Sequence, residues 1–169
     1  QVSARLGIQM ASTSLNSIGN NWAAGKDPLG SFAVGIGPVN VRVGKDHCGP
    51  SLNLSDNISN AIFNGIGIFS TLHSWLKPGE TASFPKWNWY ALSFNYQNSA
   101  LDDLMSEWGA DAMGPFTLWG ADDWNINEEV FHVWQSRWLN NLFYPIYYGS
   151  YLLNGYDNNV LELQAKVFR

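Results

Sequence analysis

The chain has 169 residues, a net charge of −5, 46% apolar residues and only 14% charged ones. That length suits a single domain spanning 1–169 with a core of its own. The acidic balance, with no run of Lys or Arg, excludes sequence-independent nucleic-acid binding, which needs clustered cations to displace counterions.

Cys48 is the only cysteine, which excludes an intramolecular disulfide and any CxxC metal site. Nine Trp, seven Tyr and nine Phe against so few charges suggest a β-rich domain with a polar, weakly charged surface, as in extracellular proteins. The first residue is Gln1 rather than Met, which reads as a mature chain after removal of a leader, so the expected location is secreted. Sequons at Asn53 and Asn57 fit a secreted glycoprotein. No stretch reaches the roughly 18 apolar residues of a spanning helix. The longest candidate, 61–76, is interrupted by Asn64, Ser70, Thr71, His73 and Ser74.

Over 1–20 the alternation of Leu6, Ile8 and Met10 predicts an edge strand followed by a loop. Leu15 and Ile18 leave a short amphipathic helix, a detachable membrane-inserting segment, as the alternative. Phe32, Val34 and Ile36, then Val39, Val41 and Val43, flank Gly37-Pro38 and predict a hairpin or a bulged edge strand. Residues 62–69 read as a Gly-interrupted strand with Ile62, Ile66 and Ile68 on one side. Pro78-Gly79 is a turn. It leads into the aromatic-rich segment 84–96, a strand from Trp87 onward, with Tyr90, Leu92, Phe94 and Tyr96 on a core face and Trp87 and Trp89 on the other.

Ser99 and Asp102 resemble a capping box for a helix over 99–108, with Leu101, Leu104, Met105 and Trp108 at helical spacing. A short strand over 114–119 follows. Asn125 and Glu128 repeat the capping spacing for a helix over 126–142, whose stripe is Val130, Val133, Trp134 and Trp138. Residues 144–151 form a short segment able to expose several phenols. Leu161, Leu163, Ala165 and Val167 alternate with polar residues, predicting a final strand over 160–168. The expected fold is therefore α+β and β-rich, a single antiparallel sheet or β-sandwich domain with two short helices, about 99–108 and 126–142.

The three histidines, His47, His73 and His132, lack HxxxH or HExxH spacing, so neither a metal site nor a cofactor is expected. Lys45-Asp46-His47-Cys48 is a turn whose adjacent Cys and His do not face each other as a catalytic pair must. His132 reads as a packed histidine. Asp102, Asp103, Glu128 and Glu129 fall in first helical turns, where negative charge complements the helix dipole. Glu107 with Asp122 or Asp123 remains a candidate carboxylate pair for a small polysaccharide hydrolase.

The aromatics are the most unusual feature. Trp87, Trp89, Trp119, Trp124, Tyr144, Tyr147 and Tyr148, with Asp122, are candidates for one ligand-binding surface. Indole and phenol rings stack on sugar C–H groups, hold choline-type cations and favour bilayer interfaces. The leading expectation is a lectin- or cytolysin-like binding protein for glycans or lipid headgroups, acting at a membrane surface, with oligomer formation allowed and no nucleic-acid partner. A hydrolase and a capsid or matrix protein are the alternatives. In size and in its tyrosine-rich patch the chain is loosely similar to actinoporin-like cytolysins and β-sandwich lectins, although it lacks the paired-tryptophan motif and strongly basic surface of those cytolysins.

Overall fold

A computed structural model describes residues 1–46, 49–52, 57–79, 82–97, 99–100, 111–113, 117–119 and 126–168, of which 59–60, 111–113 and 117–119 by backbone path only. In chain order the elements are α1 (Val2–Ala23), β1 (Phe32–Ile36), β2 (Val39–Val43), β3 (Ser51–Leu52), α2 (Ile58–Leu76), β4 (Lys86–Asn88), β5 (Ser93–Tyr96), β6 (Asp111–Met113), β7 (Thr117–Trp119) and α3 (Ile126–Leu139). A 3-10 turn, Asn140–Leu142, leads from α3 into α4 (Phe143–Asn154), and α5 (Val160–Lys166) follows. The strands form two small sheets, an antiparallel β1-β2-β3 and a mixed β4-β5-β7-β6 in which β5 and β7 run parallel.

The expected β-rich sandwich is overturned: helices dominate, and three segments predicted as extended are helical. Residues 2–23 form α1 rather than an edge strand because their polar side chains recur at helical spacing and find partners on β1. Gln9 grips the β1–β2 turn from both sides, Nε2 donating to Gly37 O at 2.8 Å and Oε1 accepting from Gly37 N at 3.0 Å. Two turns on, Ser17 Oγ accepts from Ala33 N at 2.9 Å, and Asn21 Nδ2 donates to Ser31 O at 2.6 Å. A Cβ on Gly35 would sit 2.6 Å from Thr13 Oγ1, so glycine is what lets the helix lie this close. The hairpin itself closes over two residues, with Gly37 at φ 59 as the first, the position a type II′ turn gives to glycine.

The predicted strand over 62–69 is the middle of α2. Ile62, Ile66 and Ile68 satisfy a period of two, yet Ile58, Ile62, Ile66, Phe69, Leu72 and Leu76 satisfy the helical period over a longer span. The predicted final strand is α5. Asn159 is its N-cap, Oδ1 accepting from Leu161 N at 3.0 Å. Its buried side is Leu161, Glu162 and Ala165, while Leu163 and Val167, assigned inward by alternation, are exposed. The tyrosine segment, read as a short segment able to expose several phenols, is α4. The helix predicted over 99–108 falls almost wholly on residues outside the described ones.

The aromatic segment is a hairpin, not one strand. β4 pairs with β5 as Trp87↔Phe94 and Asn88↔Ser93, and Trp89 to Leu92 make the turn. The turn shifts the alternation, so the expected faces fail. Tyr90 and Phe94, assigned to the core, are exposed, and Ala91, Ser93 and Asn95, assigned to the other face, are buried; of the expected core face Tyr96 is buried as assigned. Two side chains of α3 hold this turn. Trp134 Nε1 donates to Tyr90 O at 2.8 Å, and Arg137 donates to Ala91 O and, at 2.9 Å, to Leu92 O. The guanidinium also lies 4.8 Å from the centroid of the Trp134 ring, and burial pushes its pKa down to about 9. Leu92 sits at φ 48, a strained value for a branched side chain that this double clamp holds in place.

α3 is the axis of the molecule. It packs on α1, α4, α5, β6 and β7, and Val130, Val133 and Trp134 join Ala91 in the apolar cluster, with Val2, Leu6, Leu92, Ile126 and Trp138 around them. That cluster is small. Among the described residues sixteen polar or charged side chains are buried against ten apolar ones, the reverse of the ordinary preference. The interior is held by directed hydrogen bonds as much as by apolar burial.

Candidate functional site

Two features stand out from this frame, an exposed apolar helix face and a buried acid–histidine cluster. The first is built on α2. Its 19 residues include no Asp, Glu, Lys or Arg. At about 100° per residue, Ile58, Ile62, Ile66, Phe69, Leu72 and Leu76 share one side of the helix, and Gly67, Ser70, Thr71 and Ser74 share the opposite side. The apolar side is exposed and the small, hydroxylated side is buried. Gly67 rests on the Tyr96 ring, where an added Cβ would meet ring carbons at 2.6 Å. The Tyr96 hydroxyl donates to Asn64, 2.9 Å from Oδ1, and burial pushes its pKa up to about 12. Thr71 Oγ1 returns a hydrogen bond to Gly67 O at 2.9 Å.

From that contact a ladder of rings runs outward along the β4–β5 hairpin. Tyr96 and Phe94 centroids are 6.5 Å apart, Phe94 and Trp87 5.1 Å, and Trp87 and Trp89 5.9 Å, the last two pairs edge to face. The inner end is buried under α2, and the outer end, Trp89 with neighbouring Tyr90, is more than two-thirds exposed. Near the C-terminus of α2, Trp75 packs edge-on against Phe84 at 4.6 Å and donates to Ala82 O at 2.7 Å. α2 and the aromatic segment are thereby in contact at two places, Gly67 with Tyr96 and Trp75 with Phe84.

The second feature lies between α3 and α5. Glu128 and His132 are one turn apart on α3, Glu162 faces them from α5, and all three are buried. Their potential ligand atoms lie within 4.8 Å of one another. His132 Nε2 is 3.5 Å from Glu162 Oε2, and Tyr147 on α4 donates to Glu162 Oε1 at 2.7 Å. Burial works against charge on His132, but the bond to Glu162, the charges of Glu129 and Glu162 and the bond to Gln135 outweigh it, so its pKa is raised. Burial likewise opposes the Glu162 carboxylate, and hydrogen bonds from His132, Tyr147 and Tyr156 with the His132 charge bring its pKa below the ordinary value. Tyr156, partly exposed, has its phenol raised by burial and by the Glu162 charge.

The residues singled out from sequence separate accordingly. Trp87 is half-buried in the ladder and Trp89 is its open end. Tyr144 and Tyr148 stack on each other at 6.2 Å on the exposed side of α4. Tyr147 instead turns inward to Glu162. Trp119 is placed by backbone in β7, opposite Tyr96 on one side and Asp111 on the other. Trp124 and Asp122 lie outside the described residues, as do Glu107 and Asp123 of the carboxylate pair. Sequence reasoning missed the acid–histidine cluster. The four-residue spacing of Glu128 and His132 was readable, but Glu162 was assigned to the solvent side of a strand. No protein-family profile matches the chain, and neither a curated protein nor a solved structure matches it.

Proposed function

We propose that the protein attaches to lipid bilayers through the outer face of α2 and the open end of the aromatic ladder, without crossing the membrane. The observation that carries this reading is the reversed polarity of α2, with isoleucine, leucine and phenylalanine outward and glycine, serine and threonine inward. A helix surrounded by water turns its apolar side to the protein. The opposite arrangement suits surroundings that are themselves apolar. Small residues spaced like Gly67 and Thr71, or Ser70 and Ser74, are what packed helices use where lipid is the solvent.

The chemistry of the face favours acyl chains over sugars. Glycan sites combine flat rings with polar groups that fix hydroxyls, whereas this face is mainly aliphatic and carries no charge. Among the described residues no helix is long and apolar enough to cross a membrane, so α2, roughly 28 Å long, lies along the interface. Trp89 and Tyr90 then sit where amphipathic rings are stable, at headgroup depth.

Co-sedimentation with phosphatidylcholine vesicles tests the reading. Partition of the protein with the vesicles, a blue shift in tryptophan emission and little sensitivity to salt are expected, because no charge on α2 takes part. Failure to partition overturns it, whether the protein then stays free, self-associates in vesicle-free buffer or binds a glycan array instead.

A further inference from the structure

We propose that Glu128, His132 and Glu162 form a binding site for one divalent transition-metal ion of the zinc, manganese or iron class. The proposal is independent of the membrane reading, since the cluster lies between α3 and α5 and involves no part of α2.

The donor set is one imidazole and two carboxylates, which suits borderline cations and not calcium or magnesium, both of which prefer oxygen alone. Three protein ligands with a further position for water is also the usual composition of an open zinc site. Spacing agrees. Two ligands at about 2.05 Å from a tetrahedral ion stand about 3.3 Å apart, close to the 3.5 Å between His132 Nε2 and Glu162 Oε2. Glu128 offers the third ligand atom, within 4.8 Å of the other two.

The surrounding groups select the correct nitrogen. Gln135 Nε2 donates to Leu161 O and to Gln164 Oε1, each at 3.1 Å. Two oxygen acceptors on that side fix the amide orientation, so its Oε1 faces His132 Nδ1 at 2.8 Å. Oε1 only accepts, so Nδ1 must carry the hydrogen, and Nε2 is left directed at the carboxylates. A histidine that ligates through one nitrogen while its other N–H is tied to an oxygen is the arrangement that orients metal ligands generally. Glu162 is oriented in the same manner: Tyr147 holds Oε1 at 2.7 Å, and Oε2 points to Nε2. Tyr147 is itself anchored, its carbonyl accepting from Asn159 Nδ2 at 3.1 Å. Tyr156, hydrogen-bonded to Glu162 and partly exposed, marks the side from which an ion enters.

A proton on His132 is the competing occupant, pairing the imidazolium with Glu162. The two are separated by titrating chelator-treated full-length protein with Co2+ and Zn2+, following visible cobalt absorption and calorimetric stoichiometry. The expected result is one ion per chain, with a rise in thermal midpoint that EDTA reverses. Glu128→Gln, which keeps the shape of the side chain, and Gln135→Ala, which removes the group that orients His132 together with its bonds to Leu161 O and Gln164 Oε1, are expected to weaken binding, the latter by about 10- to 100-fold. Far-UV circular dichroism checks that both variants are folded. Absence of binding by the wild-type protein overturns the proposal. So does binding that both variants retain at full strength, which would place the ion elsewhere, for instance at His47 and Cys48.

Discussion

Phe69→Ala is the sharpest perturbation of the proposed membrane face. Phe69 is 72% exposed at the middle of the apolar side of α2, so the substitution removes little from the folded protein. Complete burial of a phenylalanine side chain is worth about 3 kcal/mol. The fraction exposed here therefore makes about 2 kcal/mol available on insertion, a factor of roughly 30 in partition. The six residues of the face, taking about 2 kcal/mol for full burial of each leucine or isoleucine and scaling by exposure, supply about 8 kcal/mol in all, enough for reversible attachment and small enough for one side chain to matter. The assay is a vesicle titration at fixed protein concentration, read as the lipid concentration giving half-maximal sedimentation. The half-point should move up by about 30-fold, while the denaturation midpoint stays within about 0.5 kcal/mol of wild type, as for a surface substitution. A shift below threefold with an unchanged midpoint would refute the reasoning, because Phe69 would then be outside any contact with lipid.

Other consequences concern the packing that presents this face. Gly67→Ala places a Cβ 2.6 Å from the Tyr96 ring, and overpacking of about 1–3 kcal/mol outweighs the roughly 1 kcal/mol gain in helix propensity; a raised thermal midpoint would contradict the close approach. Arg137→Met strands the Ala91 and Leu92 carbonyls and removes the contact with Trp134, with an expected loss of about 3 kcal/mol or more in urea denaturation and a changed near-ultraviolet spectrum; near-neutral stability would mean that the turn at φ 48 holds itself. The Tyr96 phenol, raised from 10.0 to about 12 by burial, favours the folded state while neutral. That contribution is intact below pH 10 and lost as pH rises towards the folded value. Spectrophotometric titration should show the Tyr96 and Tyr156 phenols ionising late, and Tyr96→Phe should remove one of the two; an unchanged late-ionising signal in that variant would assign it to other residues.

Much of the local structure was legible. The β1–β2 hairpin follows from alternation either side of Gly37-Pro38, and the Asn125–Glu128 spacing anticipates α3, present as Ile126–Leu139. The errors share a physical origin. In 160–168 a period of two and a helical period both fit so short a segment, and the decisive signal was the N-cap residue Asn159 rather than hydrophobic alternation. In the aromatic segment a turn at Trp89 to Leu92 breaks the single strand, and Ser93, Phe94 and Asn95 depart from the expected faces while Tyr96 keeps its own. That turn is held by Trp134 and Arg137 from more than 40 residues away, which no local pattern reveals. The acid–histidine cluster was hidden for the same reason, since its two halves are brought together by the packing of α5 on α3.

The case of α2 is different, because its periodicity was fully present in the sequence and still undecided in meaning. A period of 3.6 says that a helix has two unlike sides, not which of them faces the protein. In water the hydrophobic effect decides, and the apolar side goes in. Here the inner side is chosen by shape: Gly67 admits the Tyr96 ring, Asn64 receives its hydroxyl, and Thr71 satisfies its own oxygen on the helix backbone. The same preference recurs elsewhere, with Gln9, Ser17 and Asn21 tying α1 to the first hairpin and Arg137 tying α3 to the second. Specific polar contacts thus position the helices, and the apolar area they leave outside is the surface that the proposed attachment to a bilayer would bury.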